Sequence, residues 1–241
     1  MKTESSSSPL LKLIQQEGLQ TVAHDLRTPI TVIKGNLQLL LSGIVGEMSG
    51  DQLMLIQRSI GPLDDLIRMT DNILQMAQIE NKELQLSLED IDLDKLLAEI
   101  CEFYQLPFQQ RGMQIHRDGN TVGLHLKADG FWIRRVLHNL VWNAYKFTPN
   151  TGTVVLQVRH KGEGVEILVQ DNGRGIPAEN LNKIFDKFEQ TDVLKDRKLG
   201  NGLGLWISKQ VIERHGGSIS VESKEGQGSS FILYFPPDKV F

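Results

Sequence analysis

From Leu53 to Ala77 apolar residues return in steps of 3, 4, 3, 4, 3, 4 and 3, through Leu53, Ile56, Ile60, Leu63, Ile67, Thr70, Leu74 and Ala77. Only a helix puts residues at that period on one line, and the line is a narrow seam that needs a partner. A matching line lies upstream, in Leu19, Val22, Leu26, Ile30, Ile33, Leu37, Leu40 and Ile44. Ser8-Pro9 reads as its start, a capping serine before a first-turn proline. Gly43 and Gly46 end it. Ser49, with Gln52 three residues on, opens the second helix as a capping box. Pro29 is expected to kink the first helix and Gly61-Pro62 to bend the second. Two helices joined by a short loop form an antiparallel hairpin. One hairpin leaves apolar surface uncovered, and a second copy would cover it as a dimeric four-helix bundle, so a homodimer is expected.

The texture changes near residue 82. Leu84, Leu86 and Leu88 alternate with polar residues and predict a strand; Leu93–Phe103 has helical spacing. Asp129 predicts a cap for a helix running to Phe147. Thr153–Val158 and Val165–Val169 read as strands around a glycine turn. Leu203–His215 reads as a helix ended by Gly216-Gly217, and Ser218–Val221 and Ser230–Phe235 as closing strands. Helices beside neighbouring strands predict an α+β layer, one sheet covered by helices on one face. The expected division is a linker remnant at 1–8, a helical domain at 9–82 and an α/β sandwich at 83–241.

Lys and Arg number 26 against 30 Asp and Glu in 241 residues, a formal charge of −4. That balance argues against nucleic acid as a partner, which needs a basic face. No apolar run approaches the roughly 18 residues of a membrane span, so no membrane contact is expected of this segment. The serine-rich start has no apolar core and is not a signal peptide. Cys101 is the single cysteine, which rules out a disulfide within the chain and fits a cytoplasmic setting.

Three groups of residues carry chemistry. His24 lies two residues from both Val22 and Leu26 and so points away from the seam. Asp25 beside it could hold one ring N–H and leave the other nitrogen as a nucleophile. Thr28 stands four residues on, on the same helix face, and Arg27 adds positive charge. An exposed histidine on a proline-kinked helix is the plain alternative.

In the helix after Asp129, Ile133, Leu137, Leu140, Ala144 and Phe147 form an apolar face. Asn139, Asn143 and Lys146 form a second, narrow stripe. Amide oxygens suit a hard cation and an ammonium suits phosphate oxygens, although a solvated polar face would look the same.

Two glycine clusters follow. Asp171-Asn172-Gly173-Arg174-Gly175-Ile176 leaves a strand, and Gly200-Asn201-Gly202-Leu203-Gly204-Leu205 opens a helix. Glycines at a helix start let backbone N–H groups approach phosphates. Between the clusters lie Phe185-Asp186-Lys187-Phe188 and the polar run Glu189 to Lys198, which has few apolar anchors and reads as a lid.

His24-Asp25-Leu26-Arg27-Thr28-Pro29 resembles the phospho-acceptor box of sensor histidine kinases. Asn139 to Phe147 resembles that family's asparagine box, and Asp171 to Gly175 its first glycine box. Phe185 to Phe188 resembles its phenylalanine box, Gly200 to Leu205 its second glycine box, and Gly226 to Phe231 its third glycine-containing segment. The order and spacing are the family's, over roughly residues 15 to 236. The chain therefore resembles the catalytic core of a two-component sensor histidine kinase: a dimerisation and phosphotransfer hairpin followed by an ATP-binding domain of the type shared with Hsp90, gyrase and MutL.

The resemblance implies ATP and Mg²⁺ as cofactors, with Asn143 on the metal and Asn139 and Lys146 on phosphates. Asp171 would recognise adenine, with Gly173 and Gly175 letting the chain pass close to the base. Gly202 and Gly204 would let a lid fold over the phosphates. Phe147, Ile176, Lys187, Phe188, Leu203 and Leu205 would complete the nucleotide-binding set. His24 would accept the γ-phosphoryl group, with Asp25 as base or orienter. The group would pass to an aspartate of a response-regulator receiver domain, and Thr28 would place water for the reverse, phosphatase reaction. The segment would be cytoplasmic, with room for a membrane anchor elsewhere in a longer protein. The other histidines, His116, His125, His138, His160 and His215, match no catalytic position and read as surface or capping residues. Two rivals remain: an ATP-driven clamp of the Hsp90 kind, and a scaffold that binds a receiver domain without phosphorylating it.

Overall fold

The computed structural model of the chain describes residues 9–81, 84–119, 123–189 and 201–240, with side chains in the first helix from Thr21 onward apart from His24. The expected boundary at residue 82, the capping Ser8 and the polar run from residue 190 lie outside the described residues. Two compact units divide the chain, Met1–Leu84 with Lys198–Leu203, and Gln85–Arg197 with Gly204–Phe241.

The first unit is built on two long helices, α1 (Pro9–Leu41) and α2 (Gly50–Glu80). Helix α1 runs on through Pro29 and α2 through Gly61-Pro62. The turn between them uses Gly43 at φ 76° and Gly46 at φ 128°, backbone that a side chain disfavours. Ser49 caps α2 with the expected reciprocal pair: its Oγ accepts from Gln52 N at 3.3 Å, and Gln52 Oε1 accepts from Ser49 N at 2.8 Å. Two ion pairs set the hairpin register, Arg27 Nε to Asp71 at 3.4 Å and, one heptad along, Lys34 Nζ to Asp64 at 2.6 Å.

The apolar line on α2 faces inward as its period requires. Leu53, Ile56, Ile60, Leu63 and Ile67 are half-buried, and Thr70 and Ala77 are buried. On α1 the expected line is rotated by about one position. Ala23 is buried and Ile30, Leu37 and Leu40 are half-buried, whereas Val22, Leu26 and Ile33 stay about half exposed and Ile44 lies open in the loop. Both sets recur at helical spacing, and a period alone does not say which of two apolar lines a single chain covers.

The second unit starts with β1 (Glu89–Asp92) rather than with a strand through Leu84, Leu86 and Leu88. Those leucines precede the pairing segment, and Leu88 is exposed, so the alternation had no sheet to bury it. Helix α3 (Leu93–Gln110) is capped by Asp92, which accepts from Lys95 N at 3.1 Å. Then come β2 (Gln114–Asp118), β3 (His125–Ala128), α4 (Gly130–Phe147), β4 (Thr153–Lys161), β5 (Gly164–Asp171), α5 (Gly204–Arg214), β6 (Ser218–Lys224) and β7 (Gly228–Phe235). Strands β1 and β3 form an antiparallel pair. The other five form one sheet in the order β2-β4-β5-β7-β6, in which only β2 and β4 run parallel. Strand β2 is short and mostly polar, so no alternation marks it in the sequence; β3 does alternate, with Leu126 and Ala128 buried between His125 and Lys127, but over only four residues.

Register places Leu156 opposite Val169, and Val169 opposite Phe231. The next inward row carries Val158, Ile167 and Leu233. These buried rows form the sheet side of the core; Leu93, Leu97, Phe108, Ile133, Leu137, Leu140, Val211 and Ile212 form the helical side. On the opposite face Glu166 is buried beside its pairs Arg159 (2.7 Å) and Lys161 (2.6 Å). Burial would raise its carboxyl, but the two cationic donors outweigh it and hold it below the ordinary range.

His215 is neither exposed nor a simple cap. It is 3% exposed; its Nδ1 donates to Val211 O at 2.8 Å and its Nε2 accepts from Asp129 N at 3.0 Å. Asp129 in turn caps α4 through Trp132 N and accepts from Ser87 N. One neutral imidazole therefore ties the end of α5 to the start of α4. Burial holds its pKa below the ordinary 6.5. Its stabilising share is whole above pH 6.5 and is lost as the pH falls through the lowered folded value, because the unfolded chain takes up the proton first. Thermal midpoints measured from pH 7.5 to 5 should therefore fall more steeply for the native chain than for His215→Gln. That variant should start lower, by about 1–3 kcal/mol, for its imperfectly paired buried groups. Parallel acid profiles for the two proteins would refute the assignment.

Candidate functional site

Helix α4 supplies the first wall of the site. Its inward face, Ile133, Val136, Leu137, Leu140, Val141 and Ala144, is buried in the core. That leaves Asn139, Asn143 and Lys146 half-buried along the neighbouring stripe. Asn139 also braces a second wall. Its Nδ2 donates to Ser208 Oγ at 3.0 Å, Ser208 Oγ donates to Gly204 O at 3.0 Å, and a Cβ on Gly204 would run into Asn139 Oδ1. The start of α5 thus sits directly on the asparagine stripe.

The third wall is the loop after β5. Asp171 is half-buried at the end of that strand, and its Oδ1 accepts from Gly173 N at 2.8 Å. Burial pushes its carboxyl above the ordinary range, and hydrogen bonds from the Gly173 and Ser229 backbones oppose that shift. The loop is pinned to the end of α4. Arg174 N donates to Phe147 O at 3.3 Å, and the Arg174 guanidinium lies 4.5 Å from the centre of the Phe147 ring. Behind the loop, the turn between β6 and β7 closes to backbone contact. Gly226 N donates to Arg174 O at 2.6 Å, and Ile176 N donates to Ser223 Oγ at 2.8 Å. Ser223 Oγ also bonds Gly228 O at 2.8 Å and meets Ser229 Oγ at 3.0 Å. Gly175 at φ 70° lies against Lys224 O, and Gly228 at φ 101° lies against Asp171 O, with no room for a Cβ at either.

The segment before residue 190 adds Phe185, whose ring meets Phe231 edge-on at 6.5 Å, and Lys187, whose ammonium lies 4.5 Å from the centre of the Trp206 ring. Phe188 is exposed at φ 62°. Gly202 adopts φ 67°, Leu203 is buried and Leu205 is half-buried at the first turn of α5.

The structure thus gathers Asn139, Asn143, Lys146, Phe147, Asp171, Gly173, Gly175, Ile176, Lys187, Phe188, Gly204 and Leu205 within the second unit. In the first unit, Asp25 and Thr28 are exposed on α1, and the His24 side chain lies outside the described residues. Sequence reasoning passed over Arg174, Ser208, Ser223 and Trp206. Their roles are contacts between distant segments, for which a single sequence carries no local signal.

The donor set fits a nucleotide. A half-buried carboxylate stands at one end, two amides and an ammonium line the helix wall, and a glycine cradle brings backbone close. Among the described residues no cluster of three or more His, Cys, Asp or Glu could hold a metal ion. The amide oxygens of the stripe are donors of the kind that a hard cation takes together with a ligand's own oxygens.

Comparison with known proteins agrees with this chemistry. Residues 128–239 match the family described as the histidine kinase-, DNA gyrase B- and HSP90-like ATPase, and residues 14–82 match the His Kinase A (phospho-acceptor) domain. The circadian input-output histidine kinase CikA of Synechococcus elongatus is 35% identical over 224 residues, 91% of this chain and 30% of that protein. The sensor histidine kinase WalK of Bacillus subtilis is 31% identical over 227 residues, 92% of this chain and 36% of that protein. The chain spans about a third of the length of these curated relatives. Among solved structures, full-length ShkA in complex with AMPPNP superposes with a TM-score of 0.70 at 28% identity, covering 91% of this chain and 45% of that one. The catalytic domain of the histidine kinase ThkA superposes at 0.54 with 28% identity, covering 63% of this chain and 98% of that one.

Gly228→Ala would drive a methyl group onto the Asp171 carbonyl in backbone that disfavours it. It should lower the stability of the second unit by more than about 1 kcal/mol, read as a drop in chemical-denaturation midpoint. An unchanged midpoint would mean that the two loops are not in backbone contact.

Proposed function

The chain belongs to the two-component sensor histidine kinases, whose catalytic core it carries, and on that premise we propose that it autophosphorylates on His24 from Mg-ATP and passes the phosphoryl group to an aspartate of a response-regulator receiver domain. The supporting observation is the presence, in one chain, of a His24-Asp25 pair on a phospho-acceptor helix and a site whose carboxylate, amides and ammonium match the two ends of a nucleotide. We place the domains at 1–8, 9–82 and 83–241.

In this reading Asp171 accepts from the adenine amine, with Gly173 and Gly175 keeping side chains off the base. Phe147, Ile176, Lys187, Phe188, Leu203 and Leu205 shape the surroundings of the nucleotide, and Gly202 and Gly204 let backbone approach the phosphates. Asn139 and Lys146 meet phosphate oxygens, and Asn143 offers its amide oxygen to Mg²⁺. The metal, when bound, neutralises charge on the β- and γ-phosphate oxygens. Asp25 orients the imidazole by accepting one ring N–H, so the other nitrogen keeps its lone pair. That nitrogen of His24 forms a bond to the γ-phosphorus while the bond to the β–γ bridging oxygen breaks, and ADP leaves. The ring then surrenders the phosphoryl group to the receiver carboxylate. Thr28 places water for hydrolysis of the phosphorylated regulator. No described helix is long and apolar enough to cross a membrane; we assign this segment to the cytoplasm.

Incubation with ATP labelled at the γ position tests the chemistry. Protein-bound label should be stable to base, labile to acid and lost in His24→Gln. ATP consumption without such label would replace this reading with an ATP-driven clamp, and no consumption would replace it with a scaffold.

The homodimer belongs to the same proposal. Val22, Leu26, Ile33, Leu66 and Met69 remain between 42% and 55% exposed on the closed hairpin, and a second copy would bury them in a four-helix bundle. Light scattering at micromolar concentration should give a dimer. At roughly 1.5–3 kcal/mol per buried side chain, Ile33→Glu combined with Leu66→Glu should give a folded monomer. A monomeric native chain would end this part of the proposal.

A further inference from the structure

Trp142 stands on α4 one turn before Lys146 and three residues before Tyr145, spacings that make each of the two a neighbour of Trp142 on the helix surface. The Lys146 ammonium lies 5.6 Å from the centre of the Trp142 ring. The same ring stacks on Tyr145, with centroids 5.1 Å apart and planes 24° from parallel. Tyr145 carries the Arg111 guanidinium 4.5 Å from its own centre and leans on Phe108 at 5.2 Å. Arg111, just past the end of α3, is fixed by three acceptors: Tyr145 O at 2.5 Å, Thr148 O at 3.2 Å and Asn150 Oδ1 at 3.3 Å. Two of these are carbonyls at the C-terminal end of α4, where intrahelical partners run out and positive charge is favoured. A cation, two stacked rings and a second cation therefore form one ladder, anchored at Arg111 and ending at Lys146.

A lysine side chain samples many rotamers and loses that freedom when it meets a ligand. A ring face that already draws the ammonium to one place reduces the loss. We propose that Trp142 is a positioning residue for the nucleotide: its ring holds Lys146 poised for the polyphosphate, and the stack down to Arg111 keeps the ring in place. The proposal rests on the reading of Lys146 as a phosphate contact. Trp142 acts through Lys146, so its effect belongs to the phosphate chain and not to the base.

The test compares ATP and adenosine binding, by calorimetry for ATP and by NMR titration for adenosine, at fixed Mg²⁺ in the full chain. Trp142→Leu keeps apolar bulk without a ring face; Trp142→Phe keeps a face. Trp142→Leu should weaken ATP binding roughly two- to five-fold and leave adenosine within about twofold, while Trp142→Phe should retain most of the ATP affinity. In a Lys146→Gln background Trp142→Leu should cost nothing further, since a residue acting through another has no effect once the other is gone. Equal weakening of ATP and adenosine, or a Trp142→Leu loss that persists beside Lys146→Gln, would overturn the proposal. Should circular dichroism find Trp142→Leu unfolded, Trp142→Phe enters the same cycle, with a smaller loss expected and the same overturning results. A native chain that binds adenosine but gains nothing from the phosphates of ATP would instead remove the phosphate role of Lys146. One that binds neither would remove the nucleotide reading itself.

Discussion

Two loops that meet backbone to backbone hold the candidate site in shape. The ladder between β5 and β7 ends with Asp171 opposite Ser229. At that point Gly228 is pressed against the Asp171 carbonyl, and a little further on Gly175 is pressed against Lys224. Side chains are excluded, so the bond from Gly226 N to Arg174 O can form at 2.6 Å. The position of the Asp171 carboxylate follows from this contact. Its two backbone donors are Gly173 N, from the loop after β5, and Ser229 N, from the start of β7 beside Gly228, the two segments that the contact joins. A carboxylate in a half-buried place is disfavoured by desolvation. A loop free to move would relieve that cost by swinging outward, and the glycine contact denies it that freedom.

The same logic of rigid support applies to α4. Its buried face packs on the sheet, and its N-terminus is tied through Asp129 to His215 at the end of α5. Asn139 joins the middle of α4 to Ser208, and Arg111 holds the last carbonyls. Asn143 and Lys146 therefore project from a helix braced at its start, middle and end. Groups built on such a helix need little rearrangement to meet a ligand, which is where preorganised sites gain affinity. The bracing residues lie far from Asn143 in sequence, so the site is a product of the fold and not of its motifs alone.

That distinction explains what could be read from the sequence. The capping box at Ser49, the Asp129 cap, α4 ending at Phe147, the strands on either side of Gly162, and the helix closed by Gly216 all rest on local rules of capping and period, and the structure has them. The asparagine stripe was legible for the same reason, since its spacing against the apolar face is fixed by 3.6 residues per turn. Strand β2 was not legible, because a short polar strand is made by its neighbours, and β3 alternates over only four residues, too few to stand out beside the pairing with β1 that defines it. His215 caps a last-turn carbonyl of α5, as one of its two expected readings had it, but its burial was not legible because that depends on Asp129, which lies 86 residues away. Lys187 on Trp206 and Arg174 on Phe147 are likewise pairings of distant segments.

The helical hairpin shows a different limit. Arg27 with Asp71 and Lys34 with Asp64 place charge pairs one heptad apart across the two helices. A slide by one turn would separate both pairs at once, so together they favour one alignment even though exposed pairs are individually weak. The apolar residues of α1 then fall into two sets. Ala23, Ile30 and Leu37 turn inward, and Val22, Leu26 and Ile33 turn outward. Each set alone satisfies a helical period, and the two lie side by side on one broad apolar face. A helix serving one interface needs a stripe of only about 100°. The wider face of α1 supplies more apolar surface than α2 of the same chain covers, and that surplus is the physical ground for expecting a partner at this surface.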